Sequence, residues 1–128
     1  MLAKSQKPKK ACQSLQRADD MKLEKYGDKH PVTADSYDEI AVTQHEMKDY
    51  ASALQSRQQA LDIRLKLHGD EHPDTARSYH NIGITQYAME DYASSLESEQ
   101  QALHIRLKIH GDEHPDTANS YHNIGGIQ

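Results

Sequence analysis

Apolar residues recur along this chain at three- and four-residue intervals, in blocks separated by short polar joints. That spacing is the period of an amphipathic helix. Tyr37, Ile40, Ala41 and Gln44 fall on one face of a helix predicted from about Pro31 to Met47. After a turn at Lys48-Asp49, a second helix is predicted from Tyr50 to His68. Tyr50, Ala53, Leu54, Leu61 and Leu65 form its inner stripe, with Ala60, Ile63 and Leu67 as a second one. Two stripes suit a helix that packs on its own partner and on a neighbouring unit. The next pair repeats the pattern, with Tyr79, Ile82 and Gly83 in its first helix and Tyr92, Ser95, Leu96, Ala102, Leu103 and Ile105 in its second. A third first helix holds Tyr121, Ile124 and Gly125 and reaches the last residue, Gln128. Tyr79, Tyr92 and Tyr121 are expected in the packing layers. Gly125-Gly126 costs about 1 kcal/mol per glycine inside a helix, so fraying is expected there.

The repetition has a fixed period. Gly69-Asp-Glu-His-Pro-Asp-Thr-Ala76 returns unchanged at Gly111 to Ala118, and the variant Gly27-Asp-Lys-His-Pro-Val-Thr-Ala34 precedes both, at steps of 42 residues. Residues 27–68 and 69–110 agree at 27 of 42 positions, and 69–86 and 111–128 agree at 15 of 18. A constant period of this size marks stacked supersecondary units. The signature reads as a joint. Its glycine takes a left-handed conformation that closes one helix, and its proline opens the next. Asp74 and Asp116 then fall in a first turn, where a carboxylate suits the helix dipole. A joint this short leaves its two helices as antiparallel neighbours.

Composition narrows the class. The 128 residues suit one domain, only 35% are hydrophobic, and tyrosines are the sole aromatic residues. Thin layers of Leu, Ile, Ala and Tyr favour a solenoid, in which each unit touches only its neighbours. Ala41 with Gly83 and Gly125, Ala53 with Ser95, and Ala60 with Ala102 occupy matching positions, as close helix crossings require. A net charge of −5 gives no footprint for nucleic acid. No apolar run approaches a membrane span, and no signal peptide is apparent. Lys4, Lys7, Lys9 and Lys10 form one basic cluster in residues 1–9, which read as disordered. The lone Cys12 fits a reducing, cytoplasmic setting and a small packing residue better than a nucleophile. Residues 10–26 match the second helix of a partial repeat, with Asp19 where later units have leucine.

Nine histidines raise the question of a metal. His68 and His72, like His110 and His114, are four apart, but a joint separates each pair, so they are read as joint residues with no metal expected. No glycine-rich phosphate loop or recurring nucleophile is present. No enzyme activity and no cofactor are therefore expected.

Tyr79-His-Asn-Ile-Gly83, then Ser95, then Ala102-Leu103, resembles the tetratricopeptide repeat. The 42-residue form, with "GDEHPDTA", "SYHNIG" and "DYASSLESEQQALHIRLKIHG", is most similar to the repeats of kinesin light chain, and also to nephrocystin-3-like proteins and the repeat tails of NACHT- or NB-ARC-type signalling proteins. The sequence departs from the usual pattern where a late aromatic becomes Arg57 and Glu99, and a late tyrosine becomes Gln44 and Gln86. The resemblance implies an all-α, right-handed superhelical solenoid of antiparallel helix hairpins over 10–128. Its units would be 27–68, 69–110 and a truncated 111–128. It also implies a protein or peptide partner held by the concave face of the first helices. Carried over by position, that face would present Arg77, His80, Asn81, Ile84 and Tyr87 in unit two, and Asn119, His122 and Asn123 in unit three. The asparagine matching Asn81 and Asn123 binds peptide main chain in relatives. Unit one would place Asp35, Asp38 and Glu39 there, an acidic end suited to positive charge on a ligand. The competing readings are a structural spacer or oligomerisation segment, and a fragment of a larger signalling protein. With two full units, the chain is expected to be marginally stable alone or to self-associate end to end.

Overall fold

The computed structural model describes residues 30–128, together with Gln13, Arg17, Asp20, Met21, Glu24, Lys25 and Gly27. The readings of residues 1–9, of Cys12 and Asp19 and of most of the 10–26 helix lie outside the described residues. Five helices follow in order: α1 Pro31–Glu46, α2 Tyr50–His68, α3 Pro73–Ala88, α4 Tyr92–His110 and α5 Pro115–Ile127. Each packs on the next in sequence. No strand occurs among the described residues. The last helix continues through Gly125 and Gly126 to Ile127.

The joints are built identically, and histidine is their central residue. His30, His72 and His114 have extended backbones and act as N-caps, each Nδ1 accepting the N–H two residues on, at 3.0–3.1 Å. Proline occupies the position after each cap, where no N–H is needed. Thr33, Thr75 and Thr117, all fully buried, donate their hydroxyls back to the carbonyls of Gly27, Gly69 and Gly111 at 2.7–2.8 Å. The His68 and His72 rings stack with centroids 3.8 Å apart, as do those of His110 and His114. Gly69 has φ 76° and ψ −167°. The expected left-handed helical cap is thus replaced by a region that only glycine readily enters.

Turns within each hairpin follow a different rule. The N–H groups of Lys48 and Asp49 bond the carbonyls of His45 and Gln44, and those of Glu90 and Asp91 bond Tyr87 and Gln86. This is a Schellman closure, yet its left-handed residue is Lys48 or Glu90, each at φ 63°. A non-glycine there costs about 1–2 kcal/mol, part of which glycine's freedom in the unfolded chain offsets. Glu90→Gly should therefore raise stability by about 1 kcal/mol, read as a higher urea midpoint at unchanged slope. No shift, or a fall, would show that the Glu90 side chain contributes more than its backbone loses.

Burial corrects the expected stripes. In α2 the buried residues are Ala53, Ser56, Arg57, Ala60, Ile63 and Arg64, and the leucines flank them half-buried. Ala34, Ala60 and Ile63 form a small apolar core covered by Tyr37 and Leu67. Small side chains let the helices approach closely, and polar groups in the stripe bond across the crossing. Ser56 donates to Gln44 Oε1 at 2.7 Å and Ser98 to Gln86 Oε1 at 2.6 Å, in the positions where the repeat usually has tyrosine. Ser95 donates to the Gly83 carbonyl at 2.8 Å. The tyrosine expectation also needs correction. Tyr79 is half-buried, but Tyr92 and Tyr121 are 46% and 50% exposed. Tyr92 opens α4 and lies edge-on to Tyr87, outside the packed layer. Tyr121 lies on α5, whose packing is against α4.

Candidate functional site

The first helices of units two and three, α3 and α5, border a groove of about 280 Å³. From α3 come His80, Gly83, Ile84 and Tyr87, and from α5 come His122, Asn123, Gly126 and Ile127. Ser95 and Glu99 of α4 complete the lining. Ile84 and Tyr87 are exposed apolar residues one helical turn apart. Val42 holds the position of Ile84 in unit one and is likewise exposed.

The polar part is built around Glu99, which is only 2% exposed. Its two carboxylate oxygens lie 2.8 and 3.1 Å from His80 Nδ1. Asn123 Nδ2 is 3.2 Å from the same ring nitrogen. Gly83 makes room for the carboxylate, since a Cβ there would lie 2.8 Å from Glu99 Oε1. This explains why unit two has glycine where unit one has Ala41.

Unit one solves the same position with opposite charge. Arg57, the counterpart of Glu99, is buried and donates Nη1 to the Asn81 carbonyl at 3.0 Å. Burial lowers its pKa from the ordinary value, and the charge of Asp38, counterpart of His80, opposes that. Arg64, 3% exposed, donates to Asp38 Oδ2 and Ser78 Oγ at 2.6 Å each, and to Asp35 Oδ1 at 3.0 Å.

Of the candidate site residues, the groove brings together His80, Ile84, Tyr87, His122 and Asn123. The other candidates lie outside this groove. Arg77 is exposed, 4.0 Å from carboxylate oxygens of both Asp35 and Asp74. Asn119 and Glu39 are exposed, and Asn81 is half-buried with its carbonyl held by Arg57. Of the acidic residues read over unit one, Asp38 is largely covered and paired with Arg64, whereas Asp35, though bonded to the same arginine, is 62% exposed and Glu39 faces solvent. Glu99, Ile127 and Gly126 were not among the expected groove residues. The signal for Glu99 was the charged residue at a position the repeat usually gives to an aromatic.

Among the described residues, those that could hold a cation are His68, His72 and Asp74, and again His110, His114 and Asp116. Their candidate donor atoms lie within 4.8 Å of one another. Sequence spacing had not linked the aspartates to the histidines, and the joint does. The stacked rings are only 13° and 14° from parallel, so their in-plane lone pairs do not converge on one point. His72 and His114 also spend Nδ1 on the helix caps.

A family model of the tetratricopeptide repeat matches residues 1–66 and again 45–108. The chain belongs to the tetratricopeptide repeat family. BtubC (BKLC) from P. vanneervenii has a similar structure, with a TM-score of 0.84 at 20% identity over 94% of this chain and 48% of that one. A putative kinesin light chain from Podosopora anserina with nearly identical repeats gives TM-scores of 0.82 and 0.81 in two structures, at 22% identity over 94% of this chain and 57% of that one. At such identity the likeness is one of fold, and the present chain spans about half the length of each. No curated protein matches. The fold is the tetratricopeptide solenoid, similar to that of the putative kinesin light chain. Repeats of this family generally mediate protein–protein interaction on a scaffold that is typically non-catalytic. No helix among the described residues is long and apolar enough to cross a membrane.

Proposed function

We propose that this repeat array is a scaffold that binds a peptide segment of a partner protein along the first helices, with the α3–α5 groove as its anchor site. The observation that supports this most is the pairing of exposed Ile84 and Tyr87 with a buried polar floor in one concavity. Apolar walls provide affinity, and a few fixed polar groups provide orientation. Asn119 and Asn81 flank the groove on the same helices and extend the binding face, with Arg77 beyond them. The repeat boundaries 27–68, 69–110 and 111–128 belong to the same reading.

The test is a peptide array probed with the intact chain, followed by affinities for the strongest peptides. Replacing both Ile84 and Tyr87 by alanine should weaken binding by about tenfold or more, as loss of central anchors does. Both side chains are exposed, so helicity by circular dichroism should persist. Peptides that bind the double variant as well as the native chain would move the site elsewhere. An array with no peptide hit would sink the scaffold reading in this form.

A further inference from the structure

We infer that the α3–α5 groove takes an arginine side chain of the bound peptide, with Glu99 as its counter-ion; this rests on the peptide-binding reading above. A carboxylate removed from water needs a full set of donors. An ionised one offers about four lone-pair sites. Among the described residues, Glu99, at 2% exposure, has only His80 Nδ1 as partner for its two oxygens, at 2.8 and 3.1 Å. The Asn123 amide approaches the same nitrogen at 3.2 Å, so three polar atoms crowd one ring position. If that nitrogen donates to Glu99, it has no lone pair for the Asn123 NH₂. If the amide is turned, its oxygen competes for the same hydrogen. In both cases the floor of the groove retains acceptor capacity that a multi-donor cation would fill.

Unit one shows how such a position is filled. There the protein's own guanidinium, Arg57, reaches the Asn81 carbonyl at 3.0 Å beside Asp38. One repeat later the register is preserved but the charges are exchanged. Glu99 replaces Arg57, His80 replaces Asp38, and Asn123 follows Asn81. Unit two thus carries a carboxylate where unit one carries a guanidinium, and that carboxylate borders the groove. Ile84 and Ile127 suit the aliphatic stem of a long basic side chain, and Tyr87 offers a ring face to its charged end. Arginine fits better than lysine because its planar fork presents several donors at once to a carboxylate and a neighbouring oxygen. About 280 Å³ is at the small end of ligand sites, the scale of one anchoring side chain.

The experiment uses pools of nonapeptides, random except for a central residue fixed as arginine, citrulline, lysine or glutamate. Citrulline keeps the shape of arginine and removes its charge. The arginine pool should bind the native chain about tenfold more tightly than the citrulline pool, equivalent to about 1.4 kcal/mol. Glu99→Gln should abolish that preference. Gly83→Ala provides a second variant with the charge retained, because its Cβ would displace the carboxylate, and it should reduce the preference too. Suppose arginine and citrulline pools bind alike while Tyr87→Ala weakens both. Then the arginine site is wrong and the groove reading stands. A preference that survives both Glu99→Gln and Gly83→Ala would equally overturn the role of Glu99. If no pool binds the native chain, both readings fall.

Discussion

Arg64→Ala is expected to destabilise the fold by about 3–5 kcal/mol, the usual cost of removing one partner from a buried charge pair. Arg64 is 3% exposed and joins three elements, bonding Asp38 and Asp35 on α1 and Ser78 on α3. Asp35 is 62% exposed on its side chain, so water screens its share, and the loss falls mainly on Asp38 and the fully buried Ser78. The chain contains its own control. Arg106 occupies the same position one unit later and donates to Ser120 Oγ at 2.8 Å and, more weakly, to the Asp116 carbonyl. The counterparts of Asp35 and Asp38 there are Arg77 and His80. With no carboxylate to leave unpaired, Arg106→Ala should cost only about 1 kcal/mol. Urea unfolding of the two variants measures the difference. A double-mutant cycle of Arg64→Ala with Asp38→Asn should return a large coupling term. Equal losses at both arginines would mean that their aliphatic stems, rather than their charges, hold the layers together.

Gly69→Ala should cost about 2 kcal/mol, and Gly69→Asn no less, because the backbone region at φ 76° and ψ −167° is nearly closed to any residue with a Cβ. The cause is purely conformational. A Cβ at Gly69 would meet nothing within 4 Å, so no steric contact is available to explain a loss. Asparagine is the informative substitution. It tolerates the left-handed helical region, and a conventional glycine cap would accept it with a smaller penalty. Near-native stability of Gly69→Asn, measured by urea or thermal unfolding, would show that the joint relaxes into that conventional cap. The Thr75–Gly69 bond, at 2.8 Å from a fully buried hydroxyl, resists such relaxation. Gly111, with φ 77° and a matching bond from Thr117, should respond alike.

The joint illustrates how far one-dimensional reading reaches. Glycine after the second helix and proline at the start of the next placed its ends correctly, because both residues act through their own backbones. The histidine between them was read as a generic joint residue. Its role as N-cap depends on a ring nitrogen reaching an N–H two positions on, in a position that Ser, Thr, Asp or Asn ordinarily fill. The glycine was expected in the left-handed helical region, whereas its actual ψ follows from the threonine hydroxyl that pulls on its carbonyl.

By itself, the sequence determined the hairpins, their 42-residue register and the layers of small side chains at Ala41, Ala53, Ala60 and Ala102. Those features depend on local spacing, which a periodic chain displays openly. His80, Ile84, Tyr87, His122 and Asn123, which line the groove, were named by position-by-position resemblance to the family rather than by spacing. Only the tertiary structure decided which polar residues go inside. Arg57, Arg64, Ser56 and Glu99 look like solvent-facing residues in the sequence, yet they are buried. Their partners are 12 to 29 residues away, and the burial of a charge becomes affordable only when such a partner is brought within bonding distance. The charge exchange between Arg57 with Asp38 and Glu99 with His80 was written in the sequence from the start. Its meaning required the packing of α1 to α5, which encloses one pair between helices and leaves the other at the floor of an open groove.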